Sequence, residues 1–176
     1  YTAFIVDKDC KGWSVGEEEH KMGIKGSSTT TLFFEDCMVP VENVLGKVGQ
    51  GGPIAFNGLY VGRYKLGAAS SAGSKGAIQD ALKFANDRKQ FNRPISKFGM
   101  LQKKFADMVI RSWEADSVVY MTAGSIDKSL ENISCDDDKY FEILQKSIED
   151  HAIEASISKI IGSEALWKNV DDGVQI

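Results

Sequence analysis

A mainly α fold, an antiparallel helical bundle preceded by a short β segment, is what this 176-residue sequence predicts. Two observations carry that prediction. Residues 1–50 hold short β-branched and aromatic runs, TAFIV and TTTLFF, cut by Gly, Asp, Ser and Glu, which is strand-and-turn chemistry. From about Ile54 the apolar period changes to three and four residues, and prolines become rare.

Taken in order, MVPVENVLG follows the strands as an irregular connection between Pro40 and Gly46, and KVGQGGP forms the seam. The spacing predicts a first helix over 54–87. Its small residues Gly62, Gly67, Ala68, Ala69, Ala72, Gly73 and Gly76 lower intrinsic helicity but permit close approach by a neighbouring helix or a ligand. A second helix is expected from Phe98 to Asp127, with Leu101, Phe105, Met108, Val109 and Trp113 on one face. KSLENISCDDDK breaks the period and reads as a solvated acidic loop. A third helix is expected from Tyr140 to the end, striped by Ile153, Ile157, Ile160 and Ile161, with Ala165 and Trp167 beyond. Three long helices are most of a four-helix bundle.

Bulk chemistry excludes several functions. A net charge of −4 argues against a general nucleic-acid binder, which needs a basic face. No apolar run reaches the roughly 18 residues of a membrane span, and the opening YTAFIVDKD has neither a signal-peptide lead nor an initiator Met, which suggests a fragment. Cys10, Cys37 and Cys135 are odd in number, far apart in sequence and match no ligand spacing, so a reducing compartment is expected. His20 and His151 are isolated. Asp136, Asp137 and Asp138 lack the alternation of a calcium loop, and GEEEHK reads as an exposed acidic turn. Trp13, Trp113 and Trp167 read as core or interface aromatics.

One stretch stands out. NDRKQFNRPISKFGMLQ sets Arg88, Lys89 and Arg93 around Phe91 at a corner turned by Pro94 and Gly99. Cations suit the negative end of a helix dipole; the alternative is a corner that grips an anion.

Several blocks, in this order, resemble the acyl-CoA dehydrogenase family, its very-long-chain branch in particular: KMGIKGSSTTTLFFEDCMVPVENVLG, VGRYKLGAA, DRKQFNRPISKFGMLQKKFADM, SISKIIGSEALWK and GVQI. The resemblance implies that 1–50 are the C-terminal part of a middle β-barrel domain. It implies that 51–176 are a C-terminal helical bundle truncated before its last helix. It further implies an FAD enzyme that oxidises long or very-long-chain acyl-CoA to the trans-2-enoyl-CoA in β-oxidation. A base would take the α-proton as the β-hydride passes to the flavin, and electrons would leave to electron-transfer flavoprotein. The setting implied is mitochondrial, with a homodimer sharing the FAD site and any inner-membrane association lying outside this chain.

Site residues follow from the same resemblance. Arg88 would meet the FAD pyrophosphate, where a guanidinium fork pairs donors to phosphate oxygens. Lys89, Gln90 and Phe91 would accompany it, Leu101 and Gln102 would approach from the next helix, and Gln175 would touch the adenine end. Asn92 stands where the family usually has glycine, and Asn suits a left-handed turn. Tyr60, Val61, Gly62 and Arg63 would line the acyl-CoA site, Arg63 toward the 3′-phosphate-bearing end of CoA or its adenine. Gly62 occupies the position that carries the glutamate base in some branches, so no catalytic residue is expected in this chain and the base would lie beyond Ile176. Gly62 would leave room for an acyl tail, or merely ease helix packing. The chain alone is expected to be inactive. An acyl-CoA oxidase and a dehydrogenase-like complex I assembly protein are the alternatives.

Overall fold

The computed structural model describes residues 1–176 as two compact units, Tyr1–Ala55 and Phe56–Ile176. In the first, β1 (Ala3–Phe4) is shorter than TAFIV suggests. β2 (Trp13–Glu18) pairs antiparallel with β3 (Thr30–Phe34) in the register Trp13↔Phe34, Ser14↔Phe33, Val15↔Leu32, and the register shifts between Val15 and Glu18. Gly16, Glu17 and Glu18 are therefore strand residues, which corrects the reading of GEEEHK as a turn. A strand whose side chains face water on both sides carries no apolar alternation to betray it. After a 3-10 turn at Val41–Asn43, β4 (Val44–Leu45) pairs antiparallel with β1. Val15, Leu32, Phe33 and Phe34 all stay exposed.

α1 (Gly51–Asp87) starts three residues earlier than the periodicity indicates, with Pro53 in its first turn, where a missing N–H costs no helical bond. α2 (Gly99–Leu130) runs three residues past the expected end, and Glu131–Lys139 form the acidic loop. The third predicted helix is two, α3 (Tyr140–Asp150) and α4 (Ala152–Gln175). His151 breaks it at φ −106°, ψ 22°, with its backbone N–H donating to the Ser147 carbonyl at 3.2 Å and Nδ1 lying 2.7 Å from the same oxygen. The ring thus competes for a carbonyl that a continuous helix would use. Because only one residue is displaced, the apolar period runs on almost in phase, and the sequence hides the break.

The core uses only part of each expected stripe. α2 buries Met108, Ser112, Ala115, Val119, Thr122 and Ile126; α4 buries Ala155, Ser158, Gly162, Ala165 and Asn169. Of the apolar stripes expected inside, Met108 and Ala165 are buried, while Val109, Trp113, Ile153, Ile157, Ile160 and Trp167 are exposed. Trp113 and Trp167 are therefore not core residues of this chain. Small residues let helix axes come close, and several polar side chains pair across the seam. Asn169 Nδ2 donates to the Met108 carbonyl (3.1 Å) and to Ser112 Oγ (3.0 Å), and Thr122 and Ser158 share a hydroxyl hydrogen bond of 3.0 Å. Ser71 Oγ donates to Asp116 Oδ1 at 2.5 Å, and Lys75 pairs with Asp116 Oδ2 at 2.5 Å. The Lys75 and Ser71 hydrogen bonds hold the Asp116 carboxyl below the usual carboxylate range.

Candidate functional site

The corner after α1 is a β-hairpin rather than a simple turn. β5 (Lys89–Gln90) pairs antiparallel with β6 (Arg93–Pro94), Lys89 opposite Pro94 and Gln90 opposite Arg93. The two connecting residues are both left-handed, Phe91 at φ +49° and Asn92 at φ +60°. Two such residues in succession define a type I′ connection, which matches the twist of the flanking strands. Asn92 adopts the backbone its chemistry favours. Phe91 does not, since a bulky side chain in this region costs about 1–2 kcal/mol. The Arg88 carbonyl accepts from the Ile95 N–H at 2.9 Å and the Arg88 N–H donates to the Phe84 carbonyl at 2.9 Å, so Arg88 belongs to helix and hairpin at once.

The three cations then part company. The Arg93 guanidinium lies 4.1 Å from the Phe98 ring centroid, a cation–π contact that gives it a partner within the chain. Phe98 also meets Phe91 edge-on, centroids 6.2 Å apart at 73°. Arg88 has no carboxylate partner. Its side chain borders an open cavity of about 700 Å³ whose other walls include Gln90, Phe91, Phe98, Leu101 and Ile176. Of the residues singled out in the sequence, Arg88, Gln90, Phe91 and Leu101 come together here. Lys89, Gln102 and Gln175 do not line the cavity: Lys89 and Gln175 are exposed, and Gln102 Nε2 reaches the Ser96 carbonyl at 3.3 Å.

Sequence reasoning missed Phe84, Ile95 and Phe98 as wall residues. Phe84 was detectable, since it lies four residues before Arg88 on the same helix face. Ile95 and Phe98 required knowledge of the hairpin. Ile176 is brought to the cavity by the anchoring of α4, where Asp172 receives Lys104 Nζ at 2.5 Å and a hydrogen-bonded ion pair from Arg111. Burial pushes the Asp172 carboxyl up, but the hydrogen bonds from Lys104 and Arg111 outweigh it and leave the group below its ordinary value.

The second cluster lies on α1. Arg63 sits 5.2 Å from the Tyr60 ring centroid and donates from Nη1 to Ser156 Oγ at 3.4 Å, and Phe56 stacks on Tyr60 at 6.3 Å. Arg63 has no carboxylate partner either. Val61 is half-buried beside them. A Cβ placed on Gly62 would meet nothing within 4 Å, so Gly62 eases no helix packing inside this chain.

Long helices packed through small residues, joined by a cationic aromatic corner, define a helical-bundle domain with a concave site at one helix junction. The chain belongs to the acyl-CoA dehydrogenase family: the family's C-terminal domain matches residues 49–176. A probable acyl-CoA dehydrogenase of Bacillus subtilis is 45% identical over the whole chain, which spans 30% of that relative's length. The very long-chain specific acyl-CoA dehydrogenase, mitochondrial, of Homo sapiens is 39% identical over 99% of the chain and 24% of its own length. A crystal structure of an acyl-CoA dehydrogenase complexed with FAD from Bacillus anthracis superposes with a TM-score of 0.90 at 45% identity, covering 99% of this chain and 30% of that one. The chain therefore spans about a third or less of these relatives.

Proposed function

We propose that this chain is part of an FAD-dependent acyl-CoA dehydrogenase, an oxidoreductase that introduces an α,β double bond into a fatty acyl-CoA, with Arg88 as a flavin-phosphate ligand. The observation that carries the reading is the unpaired Arg88 guanidinium at the edge of a cavity walled by Phe91, Phe98 and Leu101. A dinucleotide presents an anionic pyrophosphate beside a flat, weakly polar ring system, and an arginine next to exposed aromatic faces complements both. The residues present thus fit the cofactor, which when bound would supply the hydride acceptor. Arg88 would hold the phosphate, Phe91 and Leu101 would shield the adenosine portion, and Lys89 and Gln90 would add donors along the hairpin. Gln102 and Gln175 would join from α2 and α4 after their side chains turn toward the ligand. A homodimer in which each corner serves the neighbouring flavin is the arrangement this reading adopts.

Tyr60, Val61, Gly62 and Arg63 are the proposed acyl-CoA contacts. Arg63 keeps a charge that no carboxylate neutralises, and the open space at Gly62 suits a long acyl tail. Gly62 offers no carboxylate, so proton abstraction falls to a residue outside Tyr1–Ile176. Residues 1–50 are read as the end of the middle β domain, which accounts for a ribbon that leaves Phe33 and Phe34 uncovered. Residues 51–176 are read as the bundle up to its last helix. Preference for long or very long chains in β-oxidation, with electron-transfer flavoprotein as acceptor, rests on the similarity to the human relative. So does a mitochondrial setting, while the Bacillus subtilis relative supports a bacterial host; import of the full-length protein into isolated mitochondria separates the two.

The test is flavin affinity of the full-length protein. Arg88→Ala should weaken FAD binding about 10- to 100-fold, the worth of a charge-assisted hydrogen bond pair, and Arg88→Lys should recover only part of it. Unchanged flavin affinity in both variants would overturn the assignment.

A further inference from the structure

Cys10 and Cys37, far apart in sequence, bring their sulfurs to 3.3 Å. Both are free thiols and both are partly buried. Their closeness is imposed by backbone. The Glu35 N–H donates to the Gly12 carbonyl at 2.7 Å, closing the β2–β3 ribbon just beside them. Gly12, at φ +94°, packs so tightly that a Cβ there would lie 2.3 Å from the Glu35 carbonyl oxygen and 3.0 Å from the Cys37 N and Cα. Chain entry to β2 and chain exit from β3 are thereby pinned together, with one cysteine on each. Cys10 Sγ also lies 3.3 Å from the Met38 carbonyl oxygen, a contact that orients it. Finally, Cys10 opens on a cavity of about 720 Å³ bordered by Asp7, Lys11, Asp36, Met38 and Pro40, so a small oxidant can reach it.

We propose that Cys10 and Cys37 form an oxidisable dithiol, a site at which a hydroperoxide closes a disulfide across the mouth of the β2–β3 ribbon. Cys10 sulfur, giving up its thiol proton, attacks the peroxide oxygen; the O–O bond breaks, Cys10 becomes a sulfenic acid, and the departing hydroxide takes up that proton and leaves as water. Cys37 sulfur then attacks the Cys10 sulfur, the S–O bond breaks, and a second water leaves carrying the Cys37 proton. Two thiols and one hydrogen peroxide yield one disulfide and two waters, the two sulfurs having given two electrons. The sulfurs need approach by little more than 1 Å to reach the disulfide bond length of about 2.05 Å. The Cys37 thiol is pushed up, first by its hydrogen bond with Cys10 and then by burial. A metal is a poorer occupant, because no third His, Cys, Asp or Glu completes a ligand group.

The test treats the reduced full-length protein with one equivalent of hydrogen peroxide, alkylates free thiols and digests with trypsin. The expected product links the peptides Asp9–Lys11 and Gly26–Lys47 and is reversed by dithiothreitol. It should exceed any pair containing Cys135 by at least about tenfold, because positioned thiols react intramolecularly. Cys37→Ser should instead trap Cys10 as a sulfenic acid that dimedone labels. Recovery of both peptides as alkylated thiols, or Cys10 as sulfinic acid without the link, would overturn the proposal.

Discussion

Gly67 and Gly162 bring α1 and α4 into backbone contact: a Cβ on Gly67 would lie 2.7 Å from the Ser158 carbonyl oxygen, and one on Gly162 would lie 2.8 Å from the carbonyl oxygen of Gly67. Neither obstacle is a flexible side chain, so neither can yield without moving a helix. Alanine at either position should destabilise by about 1–3 kcal/mol, the range for overpacking, although alanine is the better helix former. Gly62→Ala on the same helix meets open space and should gain up to about 1 kcal/mol from propensity. Urea unfolding of the three variants measures the contrast, and a destabilised Gly62→Ala would contradict it.

Phe91 links stability to the proposed cofactor site. Phe91→Asn should raise stability by roughly 0.5–1 kcal/mol through relief of the left-handed strain. In the full-length protein it should also weaken FAD binding, because the aromatic wall of the cavity is lost. Thermal melts and flavin titration of one variant read both effects. Higher stability with unchanged FAD affinity would confine the strain to the turn.

Asp172 predicts a pH signature. Its folded carboxyl lies below the ordinary value, so its contribution to stability is present above the unfolded pKa of about 3.9 and is lost as pH falls from there through the folded value. Asp172→Asn should cost about 1–3 kcal/mol at pH 7, since Lys104 and Arg111 lose a shared acceptor. The gap between variant and parent should close as pH falls below 4. A gap that persists unchanged at pH 3 would assign the loss to packing instead.

Met108 and Trp113 should reverse the usual ranking of large aromatics over aliphatics. Met108 is fully buried and Trp113 is 69% exposed. In this 176-residue chain Met108→Ala should cost about 2–5 kcal/mol through lost burial and a cavity, and Trp113→Ala should stay within about 0.5 kcal/mol, as surface changes do. Chemical denaturation of the two variants decides it.

Helix existence and type were legible in the residues themselves, because a period of three to four needs only local chemistry. So were the acidic loop and the left-handed Asn92. The face that each helix buries was not legible. Met108 and Val109 are neighbours of equal hydropathic promise, and only the approach of α4, whose Asn169 reaches the Met108 carbonyl, makes one core and leaves the other in solvent. The break at His151, the partnering of Arg93 with Phe98 and the meeting of Cys10 with Cys37 belong to the same class. Each depends on where distant backbone segments come to lie. Local sequence determines what a segment can become; which of its surfaces becomes interior, and which charges are left without partners, is decided by what packs against it.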